Sequence, residues 1–220
     1  IRVVHYVAPT VWAWRPGRAA KMAAHVDQVL ALLPFEPPYM EAAGMRCDFV
    51  GHPVVTEPVA DRADVAAFRD AHGLGDDVLC VLPGSRRSEI QRLAPVFREV
   101  VRALHQDRPG LQVILPVATG RETMVEEAVA GWPVPPILLS GLDARAKSAA
   151  FQASRVALAA SGTVSLELAA AGCPMVIAYD MGWLSRQIIG RMLLTDTVTL
   201  VNLVSETRAV PEFIGDRCRP

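Results

Sequence analysis

From residue 78 onward, short apolar runs alternate with helix-patterned stretches, and this alternation limits the possible fold more than any other feature. The runs fall at 78–82, 112–117, 134–139, 155–160 and 174–179, with helical patterning at 88–106, 120–130, 143–153 and 163–171. Strands that alternate with helices must run parallel, joined by right-handed crossovers and covered on both faces. The expected fold class is therefore α/β, a doubly wound parallel sheet. In such sheets ligands sit outside the carboxyl ends of the strands.

A shorter train precedes this one. Residues 3–7 read as a core strand, 17–25 as a helix, 26–33 as a second strand, 39–43 as a helical turn or two ended by Gly44, and 47–50 as a third strand. Within the first run His5 reads as a satisfied structural histidine. Gly51-His52-Pro53 and the polar stretch carrying Pro58 mark a hinge. Two domains follow, 1–52 and 53–220. The sequence opens directly on a strand, with neither initiator Met nor leading turn, which reads as a chain that begins inside a larger protein.

Two loops leave the expected sheet at its carboxyl edge with anion-binding chemistry. In the first, Pro83 and Gly84 stop an apolar strand, and Ser88 followed by Gln91 has the form of a capping box that opens a helix. A helix start offers unpaired N–H groups, to which Arg86 and Arg87 add charge-assisted donors for phosphate. The plainer alternative is a turn with two solvated arginines. In the second loop, Ser161, Gly162 and Thr163 precede a helix that stops at Gly172 before Pro174. These three can hold another phosphate oxygen, and Glu167, one turn on, can accept from ribose hydroxyls. The alternative makes Ser161 or Thr163 an ordinary cap and Glu167 a solvated residue. One edge carrying both loops suits a diphosphate joined to a ribose.

Charge and cysteine usage narrow the partners. Formal net charge is -1 over 220 residues, so no global basic field exists to hold nucleic acid and anion recognition must be local. Cys47, Cys80, Cys173 and Cys218 show no C-x-x-C spacing and read as buried free thiols of a reduced, cytoplasmic protein without structural zinc. No apolar run reaches the ~18 residues of a membrane span. From 181 to 193, apolar residues recur at helical spacing between Arg186 and Arg191, an amphipathic pattern that suits either packing on the sheet or contact with a membrane surface.

Several stretches taken in order carry a resemblance. His5-Tyr-Val-Ala-Pro-Thr-Val-Trp-Ala-Trp-Arg15, Leu33-Pro-Phe-Glu36, Phe49-Val-Gly-His-Pro53, Leu82-Pro-Gly-Ser-Arg-Arg-Ser-Glu89, Ala160-Ser-Gly-Thr163 with Glu167, and Pro174-Met-Val-Ile-Ala-Tyr179 together resemble the lipid-A-disaccharide synthase family almost end to end. The resemblance implies an inverting glycosyltransferase of the GT-B type, with two Rossmann-like domains. It would transfer 2,3-diacylglucosamine from its UDP derivative to the 6-hydroxyl of 2,3-diacylglucosamine 1-phosphate. Residues 1–52 would be the end of the acceptor-side domain and 53–220 the UDP-sugar-binding domain.

Carried over by residue, the resemblance makes Arg86 the catalytic partner of the departing diphosphate. It gives UDP contacts to Gly84, Ser85, Arg86, Ser161, Gly162, Thr163, Glu167 and Asn202. Two departures stand out: Leu200-Val-Asn-Leu-Val204 lacks the family's proline, and Asp180 follows the tyrosine where arginine is common. The resemblance further implies no cofactor or metal, peripheral contact with the cytoplasmic face of the inner membrane, and compatibility with a homodimer. It places the general base and most of the acceptor site before Ile1, so this stretch alone is expected to be inactive. The rival readings are an epimerase of the same architecture acting on UDP-sugars, an isolated non-catalytic UDP-binding module, and a structural or lipid-binding protein.

Overall fold

A computed structural model describes residues 1–180 and 195–220, and the chain divides into two compact units. One unit holds Ile1–Thr56 with 195–198 and Asn202–Thr207; the other holds 57–180 with Thr199–Val201 and Arg208–Pro220. The amphipathic stretch expected at 181–193 lies outside the described residues. Among the described residues, no helix is long and apolar enough to cross a membrane.

The first unit is a parallel sheet in the order β1 (Val4–Tyr6), β2 (Gln28–Ala31), β3 (Arg46–Phe49), with helices α1 (Gly17–Ala23) and α2 (Pro37–Glu41) in the crossovers. Its core gathers Val11, Val29, Ala31, Met40, Met45 and Cys47. β1 departs from the expectation of a buried strand. It is exposed along its length, Val4 by 52% and Tyr6 by 53%, and His5 is exposed with it. Its place explains this: among the described residues β1 is an edge strand that pairs only with β2, and the core residues of this unit gather around β2 instead.

The second unit follows the alternation closely. After α3 (Arg62–His72) come β4 (Val78–Leu82), α4 (Arg87–Asp107), β5 (Gln112–Pro116), α5 (Glu122–Val129), β6 (Ile137–Leu139), α6 (Ala144–Ala153), β7 (Val156–Ala160), α7 (Val164–Ala170) and β8 (Met175–Tyr179). A short helix α8 (Leu200–Val204), whose residues 202–204 belong to the first unit, and strand β9 (Glu212–Ile214) follow. Among the described residues the strands form one all-parallel sheet in the order β6-β5-β4-β7-β8-β9. β6 begins three residues later than its apolar run because Pro133, Pro135 and Pro136 cannot donate to a ladder. β9 had no apolar run to announce it, and it is held by pairing with β8.

β4 shows why a continuous apolar run was needed. Leu79 and Val81 face one core with Phe97, Leu93 and Leu115, while Val78, Cys80 and Leu82 face the other with Phe151, Ala150 and Leu168. Side chains alternate along a strand, and helices cover both faces, so neither set can be polar. The chain moves outward from β4 to β6 and then restarts on the opposite side at β7. That reversal opens a crevice between the carboxyl ends of β4 and β7, the switch point of a doubly wound sheet.

Candidate functional site

A cavity of about 540 Å³ lies at this switch point, walled by the loops after β4, β5, β6 and β7 and by residues of α4, α6 and α7. Gly84, Ser85, Arg86, Ser161, Gly162, Thr163 and Glu167 all line it. The structure thus brings together seven of the eight residues given to UDP, whereas Arg87, read with Arg86 as a phosphate donor, is exposed at the start of α4 and is not among the lining residues. Asn202, fully buried on α8, is not among the lining residues; its side chain donates to Thr197 Oγ1 at 3.4 Å.

The first loop is built differently from its expected form. α4 opens at Arg87 instead of Ser88, and the residue that reaches back is Glu89, in place of the Ser88–Gln91 pair. Glu89 Oε2 accepts from the backbone N–H of Ser85 at 3.2 Å and of Arg86 at 3.3 Å, and Oε1 accepts from Arg86 Nη1 at 2.6 Å. Gly84, at φ 107°, turns the chain into this helix in a backbone region that favours glycine. The backbone N–H groups of Ser85 and Arg86 therefore already have an acceptor, which leaves the guanidinium as the loop's main anion-facing group. Glu89 also raises the pKa of Arg86, first through their hydrogen bond, so Arg86 is cationic at any relevant pH. Arg121 braces the loop from the β5 side, its Nε donating to the Ser85 carbonyl at 3.0 Å.

The second loop is shorter and more open. α7 has seven residues, and Thr163 at its start makes no side-chain cap bond. Ser165 Oγ instead donates to the Gly162 carbonyl at 2.9 Å. The loop therefore brings hydroxyls and bare backbone to the cavity more than the dipole of a long helix. Glu167, half-buried, pairs with Lys147 Nζ at 2.7 Å across the cavity wall. Lys147 stands mid-helix in α6, where no cap, spacing or breaker marked it. Loops after β5 and β6 add Val117, Ala118, Thr119, Gly141 and Leu142, a mostly apolar wall with exposed backbone.

A cation on one loop, an acid on the helix after the other and an apolar wall between them meet at the switch-point crevice of a doubly wound α/β domain. Solved structures share the fold. The UDP-GlcNAc 2-epimerase from Neisseria meningitidis, bound to UDP-GlcNAc, superposes with a TM-score of 0.54 at 10% identity, over 84% of this chain and 53% of that one. The ADP-heptose lps heptosyltransferase II of E. coli gives 0.51 at 14% identity, over 81% and 63%. Such low identity speaks for the fold alone, the Rossmann-like GT-B architecture.

Sequence narrows this to one family. The lipid-A-disaccharide synthetase family model matches residues 1–220. Lipid-A-disaccharide synthases from Ruegeria pomeroyi and Rhodospirillum centenum are 61% and 53% identical over 100% and 99% of this chain, covering 57% and 54% of their own lengths. The chain belongs to the lipid-A-disaccharide synthase family, and it spans about half the length of the curated relatives it matches.

Proposed function

We propose that the full-length protein transfers 2,3-diacylglucosamine from UDP-2,3-diacylglucosamine to the 6-hydroxyl of 2,3-diacylglucosamine 1-phosphate, with inversion, giving the lipid A disaccharide and UDP. The observation that carries this reading is the family match along the whole chain, whose motif residues Arg86 and Glu167 wall one nucleotide-sized cavity. Residues 53–220 form the UDP-sugar domain and 1–52 the end of the acceptor-side domain. The reaction runs on the cytoplasmic face of the inner membrane, at which the acylated substrates reside, and a homodimer is compatible with it.

Inversion needs the acceptor oxygen to attack the anomeric carbon opposite the leaving phosphate while a base takes its proton. As the glycosidic C–O bond breaks, negative charge gathers on the diphosphate. Arg86 is the fixed cation that meets it, and Ser161, Gly162 and Thr163 supply further donors. Glu167 turns from Lys147 toward the ribose hydroxyls, and Lys147 then stands free to meet a phosphate or the uracil carbonyl. Gly84 contributes by shaping the turn that carries Arg86, and Ser85 offers its hydroxyl.

UDP release by the full-length protein, measured with both acylated substrates and with the donor alone, tests the reaction. Release that needs the acceptor supports transfer; equal release without it would sink it. R86A should lower kcat by about a hundredfold or more, the scale of one lost transition-state donor, in a protein that stays folded at the assay temperature. An R86A enzyme that turns over normally at saturating donor removes Arg86 from the mechanism.

A further inference from the structure

Glu89 lines the same cavity, yet it has the wrong sign for a diphosphate site. It is only 9% exposed, and both of its oxygens are acceptors: Oε2 for the two loop N–H groups, Oε1 for Arg86 Nη1. Moving it would take the acceptor from two backbone N–H groups and the ion-pair partner from Arg86 at once, so it is held where it is. Gly84 makes room for it, since a Cβ there would come within 2.5 Å of Glu89 Oε2. Arg86, in contrast, has a side chain 77% exposed and tied at one end to this buried carboxylate. A guanidinium is planar and carries five donors, so one edge can be anchored while the other faces a ligand.

We propose that Glu89 is a positioning residue that fixes the guanidinium plane of Arg86 so that its remaining edge meets the diphosphate. This rests on the reading of the cavity as the UDP site. The same carboxylate also repels the diphosphate, and the two effects have opposite signs in one measurement. Positioning wins if removal of the charge weakens UDP; repulsion wins if it tightens it.

E89Q separates them in the full-length protein. A glutamine has one acceptor oxygen and cannot serve both partners. The two backbone N–H groups keep it, the amide NH2 turns toward Arg86, and N–H meets N–H. Calorimetry should show UDP binding weakened about tenfold, the scale of one charge-assisted hydrogen bond, with uridine, which lacks phosphate, bound as in the wild type. In an R86A background the same E89Q change should cause no further loss. R86K, an exposed change that keeps the charge and loses the planar fork, should bind UDP nearly as poorly as R86A, and it decides the question if E89Q fails to fold.

UDP bound by E89Q as tightly as by the wild type, or more tightly, overturns the proposal. So does an equal loss of uridine, which would make Glu89 a prop of the fold, or R86K binding like the wild type. If R86A itself leaves UDP affinity unchanged, the UDP reading of the cavity fails first, whereas loss in R86A without loss in E89Q removes the positioning role alone.

Discussion

Gly84 and Gly162 sit on the two loops of one cavity and answer to different demands. Gly84 has φ 107° and no room for a Cβ beside Glu89, 2.5 Å from Oε2 and 2.7 Å from Cβ. G84A should therefore lose about 2 kcal/mol or more of stability, visible as a lower denaturant midpoint, and lose UDP binding with the loop. Gly162 has open space around its missing Cβ and no positive φ. G162A should hold stability within about 0.5 kcal/mol, so any loss of UDP affinity reports a ligand in contact with the bare backbone. Both glycines were legible as breaks after apolar strands. Glu89 was not, because the eye looks for Ser or Thr as the capping partner and found Ser88 with Gln91; the turn at Gly84 lets the helix begin earlier, which puts Glu89 at the position that reaches back. Lys147 was illegible for a simpler reason: only the fold sets it against Glu167. A third residue titrates. Glu36 is 3% exposed, and burial raises its pKa above the ordinary 4.5, against the opposing backbone N–H groups of Leu33 and Leu32 that donate to its Oε2. A raised carboxylate pKa means the folded state holds the proton more firmly, so Glu36's contribution is complete below 4.5 and is lost as pH climbs through its raised value. Melting curves across that window should show stability falling with pH, and E36Q should flatten this component; an unchanged slope in E36Q would assign it elsewhere.

At the scale of elements, what the sequence shows depends on whether the signal is local. α3 is specified from end to end by local chemistry. Asp61 accepts from Ala63 N and Asp64 N, Asp64 closes the box by accepting from Asp61 N, and Gly73 takes the left-handed cap at φ 61°. Local cap chemistry of this kind is written in neighbouring residues. D61A should cost about 1 kcal/mol in urea unfolding and leave UDP binding alone, since α3 lines no part of the cavity. The pairs from Arg145 to Asp61 and Asp64 are exposed and add little to that figure. β9 and β1 show the opposite case. Three residues after Pro211 carry no strand pattern, and only the open edge of β8 makes them one. β1 carries a strong apolar pattern and is nonetheless exposed, because burial depends on what packs against a strand and not on its own composition. Free thiols were legible by composition. Cys47, Cys80, Cys173 and Cys218 are all buried, and burial pushes Cys173 up to about 11 and Cys80 well above its usual value. Cys80 and Cys173 above all should resist alkylation at neutral pH until the chain unfolds.

For the whole molecule, the alternation of strand and helix told the class of sheet but not the strand order. That order, with β7 inserted beside β4, is what sets the Arg86 loop next to the Glu167 helix and makes one cavity of two loops 75 residues apart, from Arg86 to Ser161. Every described residue that lines this cavity falls between Leu82 and Glu167, inside a single unit. UDP binding should then depend on that unit's residues, whereas transfer also needs an acceptor site and a base. The chain covers 57% and 54% of the two relatives described above, and the acceptor hydroxyl and its base are assigned to none of its residues. The two steps should therefore come apart in a direct comparison. The polypeptide 1–220 should bind UDP within about threefold of the full-length protein, a difference below 1 kcal/mol, and form no disaccharide when given both acylated substrates. UDP binding lost from 1–220 while it stays folded would mean that residues elsewhere complete the nucleotide site. Disaccharide made by 1–220 at the full-length rate would place both base and acceptor among these residues, and the division of labour argued from the cavity would be wrong.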